Sequence, residues 1–285
     1  MKKQQFIVTG SALALFVLLF FFGRTVPEKK KNTPETAHDK HEHVGSTGVI
    51  TTEALLKDAH EHLNANQLQY VTQIENSVTR GDVKLQQMNA YRQLAHFWGD
   101  SLHNNALGLY YHAEVAKLEN SEKSLTFAAR LLLEEMMTEG NPGLQNWLGL
   151  QSKALFEKAL AINPANDSTI IGLGACYMFG NVSDNPMEGI TKVREVAQRD
   201  PGNLYAQMVL GLGGMKSGQF DKAIERFLLV VKGQPDNLEA MFHLAEAYEQ
   251  KGDKVNAVKW YTMIQKLIPF PEAKKEIAER IKMLQ

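Results

Sequence analysis

The sequence predicts an all-α fold: a right-handed α-solenoid of about five helix pairs, preceded by a single transmembrane helix. Three observations lead there. Residues 204–271 read as two copies of one 34-residue unit. No stretch shows the period-two alternation of a half-buried strand. An uncharged apolar run of 17 residues, 6–22, stands near the start of the chain.

The repeat is visible on a shift of 34. Leu210 and Gly211 answer to Leu244 and Ala245, Ala223 to Ala257, Phe227 to Tyr261, and Pro235 to Pro269. Small residues let the two helices of a unit approach. The aromatic fills the space between units, and Pro stops the second helix because it lacks an N–H and restricts the residue before it. This pattern resembles the tetratricopeptide repeat. The resemblance covers residues 88–285, and an anchored array of this kind is similar to membrane-anchored tetratricopeptide proteins of bacteria.

Composition bounds the function. The 285 residues carry a net charge of −1, which gives nucleic acid no basic footprint. Residues 1–47 hold seven Lys/Arg against four Asp/Glu, and residues 48–285 hold 24 against 28. The lone Cys176 excludes a disulfide within one chain.

In chain order, residues 1–23 are expected to be a membrane anchor. Seventeen helical residues span about 25 Å, just under the ~30 Å hydrocarbon core. A cleaved signal peptide is the competing reading, but bulky Phe20, Phe21 and Phe22 stand where a peptidase needs small side chains. Basic residues flank both ends, so the positive-inside rule is nearly balanced. The short basic start favours repeats outside the cytoplasm, at a bacterial inner membrane. Residues 24–50 are a polar tether. Its His38, His41 and His43, with His60 and His62 beyond, raise a metal reading, but their spacing is loose and a solvated linker is the better account. Residues 51–87 form an N-terminal helical segment. Residues 51–78 read as one long helix capped by Thr51 or Thr52, with a weak point at 64–67, and residues 80–82 form its closing turn.

Five repeat-like units follow, at 88–120, 121–166, 167–203, 204–237 and 238–271. In the first, Leu94, Ala95 and Trp98 mark one helix and Ala106, Tyr110 and Ala113 the other. In the second, Phe127 and Ala128 take the large–small place, and an extension through Trp147, Leu148 and Leu150 lengthens the second helix. The third carries Leu173, Gly174 and Tyr177, a three-residue insertion, then Gly189. In the fourth, Gly214 replaces an aromatic, so looser packing is expected there. Residues 272–285 are a capping helix.

No Gly-Lys-Ser loop, paired metal-ligand histidines or nucleophile elbow appears, so the chain is not expected to be an enzyme or to hold a cofactor or metal. The glycines at 172–174 and 211–214 sit inside helical units, whereas a dinucleotide loop needs a strand before it. The resemblance implies a partner-binding groove lined by the first helix of each unit. Carried onto this chain, it comprises Ile171 and Met178, then Tyr205, Met208, Leu212 and Met215, then Phe242, Glu246 and Glu249. The positions are apolar and Met-rich in the middle and acidic at the C-terminal end. That suits an amphipathic helix or an apolar peptide with a basic end. The opposing account is that Tyr205, Met208 and Met215 are covered by the chain's own helices. The expected function is a protein–protein scaffold or assembly factor. Self-association through the groove or the capping helix is the alternative.

Overall fold

The computed structural model describes residues 50–80 and 83–285, apart from the side chains of Thr79 and Arg80. The expected span, the tether with His38, His41 and His43, and the turn at Gly81–Asp82 therefore lie outside the described residues or at their edge. Among the described residues, no helix is long and apolar enough to cross a membrane, and all regular structure is helical. The chain divides into two compact units, residues 46–213 and, within what is described, 214–285.

The first unit begins with α1 (Thr52–Glu61) and α2 (Ala65–Arg80). These replace the single long helix expected at 51–78. The break has a local cause. The Asn64 amide N–H donates to Gln67 Oε1 and the Gln67 N–H to Asn64 Oδ1, both at 3.0 Å. That reciprocal capping box starts a new helix. Thr51 caps α1 by accepting from the Ala54 N–H at 3.2 Å.

Next come α3 (Lys84–His96), a π-helical turn (Phe97–Ser101) and α4 (Asn105–Glu119). The π turn projects Phe97 and Trp98 inward, and both are buried. α5 (Glu122–Thr138) and α6 (Pro142–Ile162) form the longest hairpin, of 17 and 21 residues. Asn141 caps α6 by accepting from the Gly143 and Leu144 N–H groups, with Pro142 at the first helical position. The extension thus lengthens both helices rather than the second alone.

The large–small assignment in this hairpin needs correction. Phe127 is 64% exposed, whereas Ala129 is fully buried. Ala129 is the contact point, because Ser152 Oγ of α6 donates to its carbonyl at 2.7 Å. The turn is three residues, 139–141, and the added length lies in the helices; that uncouples the signature from the helix face, so an alignment by residue type slides.

α7 (Asp167–Phe179) and α8 (Pro186–Arg199) cross at a glycine pair. A Cβ on Gly174 would lie 2.9 Å from the Gly189 carbonyl oxygen, and one on Gly189 would overlap the Gly174 carbonyl. A glycine inside a helix costs about 1 kcal/mol relative to alanine; here it brings two backbones into contact. The Arg199 guanidinium pairs with Asp167 across the hairpin. The core of this unit runs through Leu125, Leu132, Leu148, Phe156, Ile171 and Val193. Burying each large apolar side chain contributes about 1.5–3 kcal/mol.

α9 (Leu204–Lys216) leads to α10 (Phe220–Gly233), α11 (Leu238–Gln250), α12 (Lys254–Leu267) and α13 (Pro271–Leu284). The unit at 214–285 is the more regular. Gly218 and Gly252 take φ of +70° and +85° in equivalent turns, a conformation that only glycine adopts freely. Gly214 does not loosen the packing as expected. A Cβ there would lie 3.1 Å from Ala223 Cβ and 3.2 Å from its nitrogen, so the missing aromatic is answered by a close backbone approach.

Candidate functional site

The predicted groove residues do not share one environment. Ile171 is 0%, Met178 6% and Met208 9% exposed, so these three are core. The expectation of an apolar contact surface fails for them because α7 and α9 are apolar on every side. A helix without a polar face is buried all round. Tyr205 and Leu212 are half-buried against the same core. The Tyr205 ring lies 5.8 Å from the Arg130 guanidinium, and burial raises its hydroxyl to a pKa of about 12. Met215 and Phe242 are half-buried as well.

The acidic end is occupied from within. Arg280 of α13 grips Glu249 with two bonds, Nε to Oε2 at 3.0 Å and Nη2 to Oε1 at 2.9 Å. Tyr261 also donates to Glu249 Oε2 at 3.0 Å. Burial and the Glu249 charge hold the Tyr261 hydroxyl far above its ordinary range. Glu246 lies 3.1 Å from His243 Nδ1. A bidentate Arg–carboxylate pair is strong and directional, so Glu249 is not a free receptor for a basic peptide end.

Two open depressions lie in residues 46–213. One, of about 900 Å³, runs along the outer face of α2 past Leu68, Thr72 and Asn76. That face carries no charge and suits the polar end of a helical array. The other, of about 350 Å³, opens between α3, the π turn, α4 and α5. Its floor is Ala95, Gly108, Leu109 and Leu131, and its rim carries Asp100, Glu134 and Glu135. Burial raises the Glu135 carboxyl above its ordinary range, against a hydrogen bond from Asn105 that lowers it. His96 Nδ1 sits 2.6 Å from Asp100 on the exposed lip.

A third feature was not anticipated. The Tyr111, Tyr110 and Trp147 rings form a row, and Trp98 lies in the same buried cluster as Tyr111, against which Leu55, Leu56 and Ala59 of α1 pack. Tyr110 lies 5.1 Å from Tyr111 and 6.0 Å from Trp147, centroid to centroid. His60 of α1 stacks on Trp98 at 5.9 Å, and Trp147 Nε1 donates to Thr52 Oγ1 at 3.1 Å. His60 Nε2 is 3.3 Å from Glu75 Oε1, a distance that allows charge attraction, but without hydrogen-bond alignment. Trp98 Nε1 likewise has no partner. Each unsatisfied buried group costs about 1–3 kcal/mol. The tryptophans and tyrosines were legible as repeat residues, but their convergence depends on α1 folding back, which no spacing announces.

His62 Nδ1 lies 2.7 Å from the Asp58 carbonyl oxygen and takes part in no cluster. Among the described residues, no three His, Cys, Asp or Glu side chains converge as a metal site. Cys176 is buried, and its thiol donates to Ser152 Oγ at 3.3 Å.

Cellulose synthase operon protein C of Escherichia coli K12 is 27% identical over 95 residues, 33% of this chain and 8% of that protein. The counterpart from Escherichia coli O157:H7 gives the same figures. The chain thus spans under a tenth of the curated relatives it matches. Among solved structures, YrrB, described as a TPR protein with an unusual peptide-binding site, aligns at TM-score 0.41 and 15% identity, over 67% of this chain and 91% of that one. MamA from Desulfovibrio magneticus RS-1 aligns at 0.43 and 20%, over 66% and 96%. The family model described as tetratricopeptide repeat matches residues 208–270, where α10 pairs with α11 and α11 with α12 at the 34-residue period, and these residues carry tetratricopeptide repeats.

Proposed function

We propose that this protein is a membrane-held scaffold or assembly factor that binds a peptide or helix of a partner protein, without catalysis. The observation that carries the reading is the succession of helix hairpins with the repeat match over residues 208–270. Such arrays expose surface between units, which is used for protein contacts. Attachment is argued from the uncharged run at 6–22, whose 17 residues span about 25 Å as a helix, just under the ~30 Å hydrocarbon core. Basic residues flank both ends of the run, and the lean towards repeats outside the cytoplasm is part of this proposal.

Within this reading, the polar cleft beside the π turn is a better receptor than the acidic end of the predicted groove, since Glu249 is already paired with Arg280. Self-association is the second reading. It is favoured by apolar side chains left in solvent on the C-terminal helices: Val255 is 81% and Met283 70% exposed.

Cross-linking in intact membranes, followed by affinity capture and mass spectrometry, tests the scaffold reading. Reproducible heterologous cross-links to residues 88–271 are expected. Cross-links only between copies of this chain would leave self-association in its place. Carbonate extraction with N-terminal sequencing tests the anchor. A soluble mature chain beginning near Arg24 would refute it.

A further inference from the structure

Helix α1 lies in the aromatic row as a guest. It contains no fully buried residue. Its half-buried side chains are Thr52, Leu55, Leu56, Ala59 and His60, at i, i+3, i+4, i+7 and i+8, which is one face of an amphipathic helix. Beneath them lie Trp98, Tyr111 and Trp147, all buried, with Tyr110 between the last two. An amphipathic helix laid on an apolar floor is a standard mode of peptide recognition, and aromatic anchors carry much of the energy in such contacts.

The fit of α1 is incomplete at one point. Trp98 is 2% exposed and its Nε1–H has no acceptor. The His60 ring stacks flat on that indole, so it offers no lone pair in line with the N–H. The Glu75 carboxylate stands 3.3 Å from His60 Nε2, also without an aligned bond. The site therefore presents one unused donor and, beside the same side chain, a carboxylate that accepts from Tyr111 Oη at 3.2 Å and has acceptor capacity to spare. A carboxamide at that place would match both, accepting from Trp98 with its oxygen and donating to Glu75 with its nitrogen.

We propose that the groove over Trp98, Tyr110, Tyr111 and Trp147 is an exchangeable helix-binding site. α1 occupies it at rest, and its preferred occupant is a partner's amphipathic helix with leucine-like residues at i+3 and i+4 and Gln or Asn at i+8. This goes beyond a scaffold that binds some protein, because it names the surface, the occupant's pattern and the resident that must leave. α1 is tethered and competes at an effective concentration in the millimolar range, so the intact protein excludes weak ligands.

The test uses the full chain and two synthetic peptides of residues 50–63, one with the natural sequence and one carrying His60→Gln. The resident helix is loosened by Leu55→Ser with Leu56→Ser. A second variant, Gly143→Val, loosens it elsewhere, since a Cβ on Gly143 would lie 2.9 Å from Ile50 Cδ1. In either variant, α1 amides should exchange hydrogen at least about tenfold faster than in the natural protein, with protection kept in the helices after residue 105. The natural peptide should bind either variant about tenfold more tightly than it binds the natural protein. The His60→Gln peptide should bind about fivefold more tightly again, two added hydrogen bonds offset in part by the lost imidazole stacking. Loss of protection throughout residues 46–213 in both variants would make α1 an integral part of the core and overturn the proposal. So would folded variants that bind the peptides no better than the natural protein does. A His60→Gln peptide with no advantage would overturn the assignment of the amide.

Discussion

In residues 214–285 the helices meet mainly through alanine, with Gly214 against Ala223 at one end, and in residues 46–213 they meet, where backbones touch, through glycine. Ala223 and Ala257 are fully buried at equivalent places in the regular hairpins, and Ala245 is fully buried on the helix that precedes Ala257. In the other unit, Gly174 faces Gly189, and Gly108 faces Gly99 of the π turn. Alanine keeps helix propensity and a fixed spacing, so units joined by it can repeat. Glycine gives up about 1 kcal/mol of propensity per site and allows local departures: an insertion after α7, a π turn, and a hairpin with helices of 17 and 21 residues. Regularity in one region and irregular, cleft-bearing surface in the other thus have a common packing origin.

The largest expected effect concerns α9. The sequence places Met208 and Leu212 on an exposed binding face, where Met208→Glu with Leu212→Glu would leave melting unchanged. With Met208 buried and Leu212 half-buried, the pair instead puts carboxylates into the core without partners. The double variant should lose about 4 kcal/mol or more, read by chemical denaturation. A melting point within a few degrees of the natural protein would restore the exposed-face reading.

Next is the glycine contact itself. Gly189→Val forces a branched side chain against the Gly174 carbonyl and should cost about 3 kcal/mol, the upper end of ordinary overpacking. Ala257→Trp, its counterpart in the regular unit, should cost about 1–3 kcal/mol. Lys251→Trp in the adjacent exposed turn should leave the melting midpoint where it was. If Gly189→Val were tolerated and Ala257→Trp were not, the contrast between glycine and alanine contacts would be reversed.

These contrasts also explain what could be read beforehand. The helix pairs of residues 204–271 were legible because five spaced positions recur at a period of 34, and each position has one packing duty. Phe127 misled because the lengthened α5 and α6 remove the fixed interval that ties residue type to helix face. Ile171, Met178 and Met208 misled because α7 and α9 have no polar side to show which face turns inward. Glu249 read as a free acid because its partner, Arg280, lies 31 residues away on a helix assigned only to solvation. The aromatic row needs α1 to return to Trp147, 95 residues on.

The Arg280–Glu249 pair offers a smaller, sharper test within the regular unit. Both side chains are partly shielded and doubly bonded, whereas Lys251–Asp221 is an exposed pair. Arg280→Gln should cost about 1–2 kcal/mol and change little with salt. Removing Asp221 should matter less, with a small loss that vanishes at high ionic strength. Equal, salt-sensitive losses would mean that α13 is held no more firmly than a surface pair.

The smallest effect is chemical and separates the two units by probe. Cys176 is the only thiol and lies in residues 46–213, while Trp260 lies in 214–285. Burial pushes the Cys176 thiol up from 9.0 to about 12, against the hydrogen bond with Ser152, which lowers it. Only the thiolate alkylates. At pH 8, native Cys176 should therefore react about a thousandfold more slowly than the unfolded chain, and its reaction should report opening of the first unit alone. The sign of the linkage follows from the raised value. The stabilisation is fully present below pH 9, where folded and unfolded thiols are both protonated. It is lost as pH rises from 9 towards 12, because the unfolded chain releases its proton first. In a denaturant series on a Trp98→Phe, Trp147→Phe variant, which leaves Trp260 as the one tryptophan, Cys176 labelling and Trp260 fluorescence should then trace separate transitions if the glycine-joined unit opens independently. Coincident transitions would show that the two units unfold as one, and that the packing contrast has no energetic consequence. Rapid labelling in native buffer would instead place Cys176 outside the core.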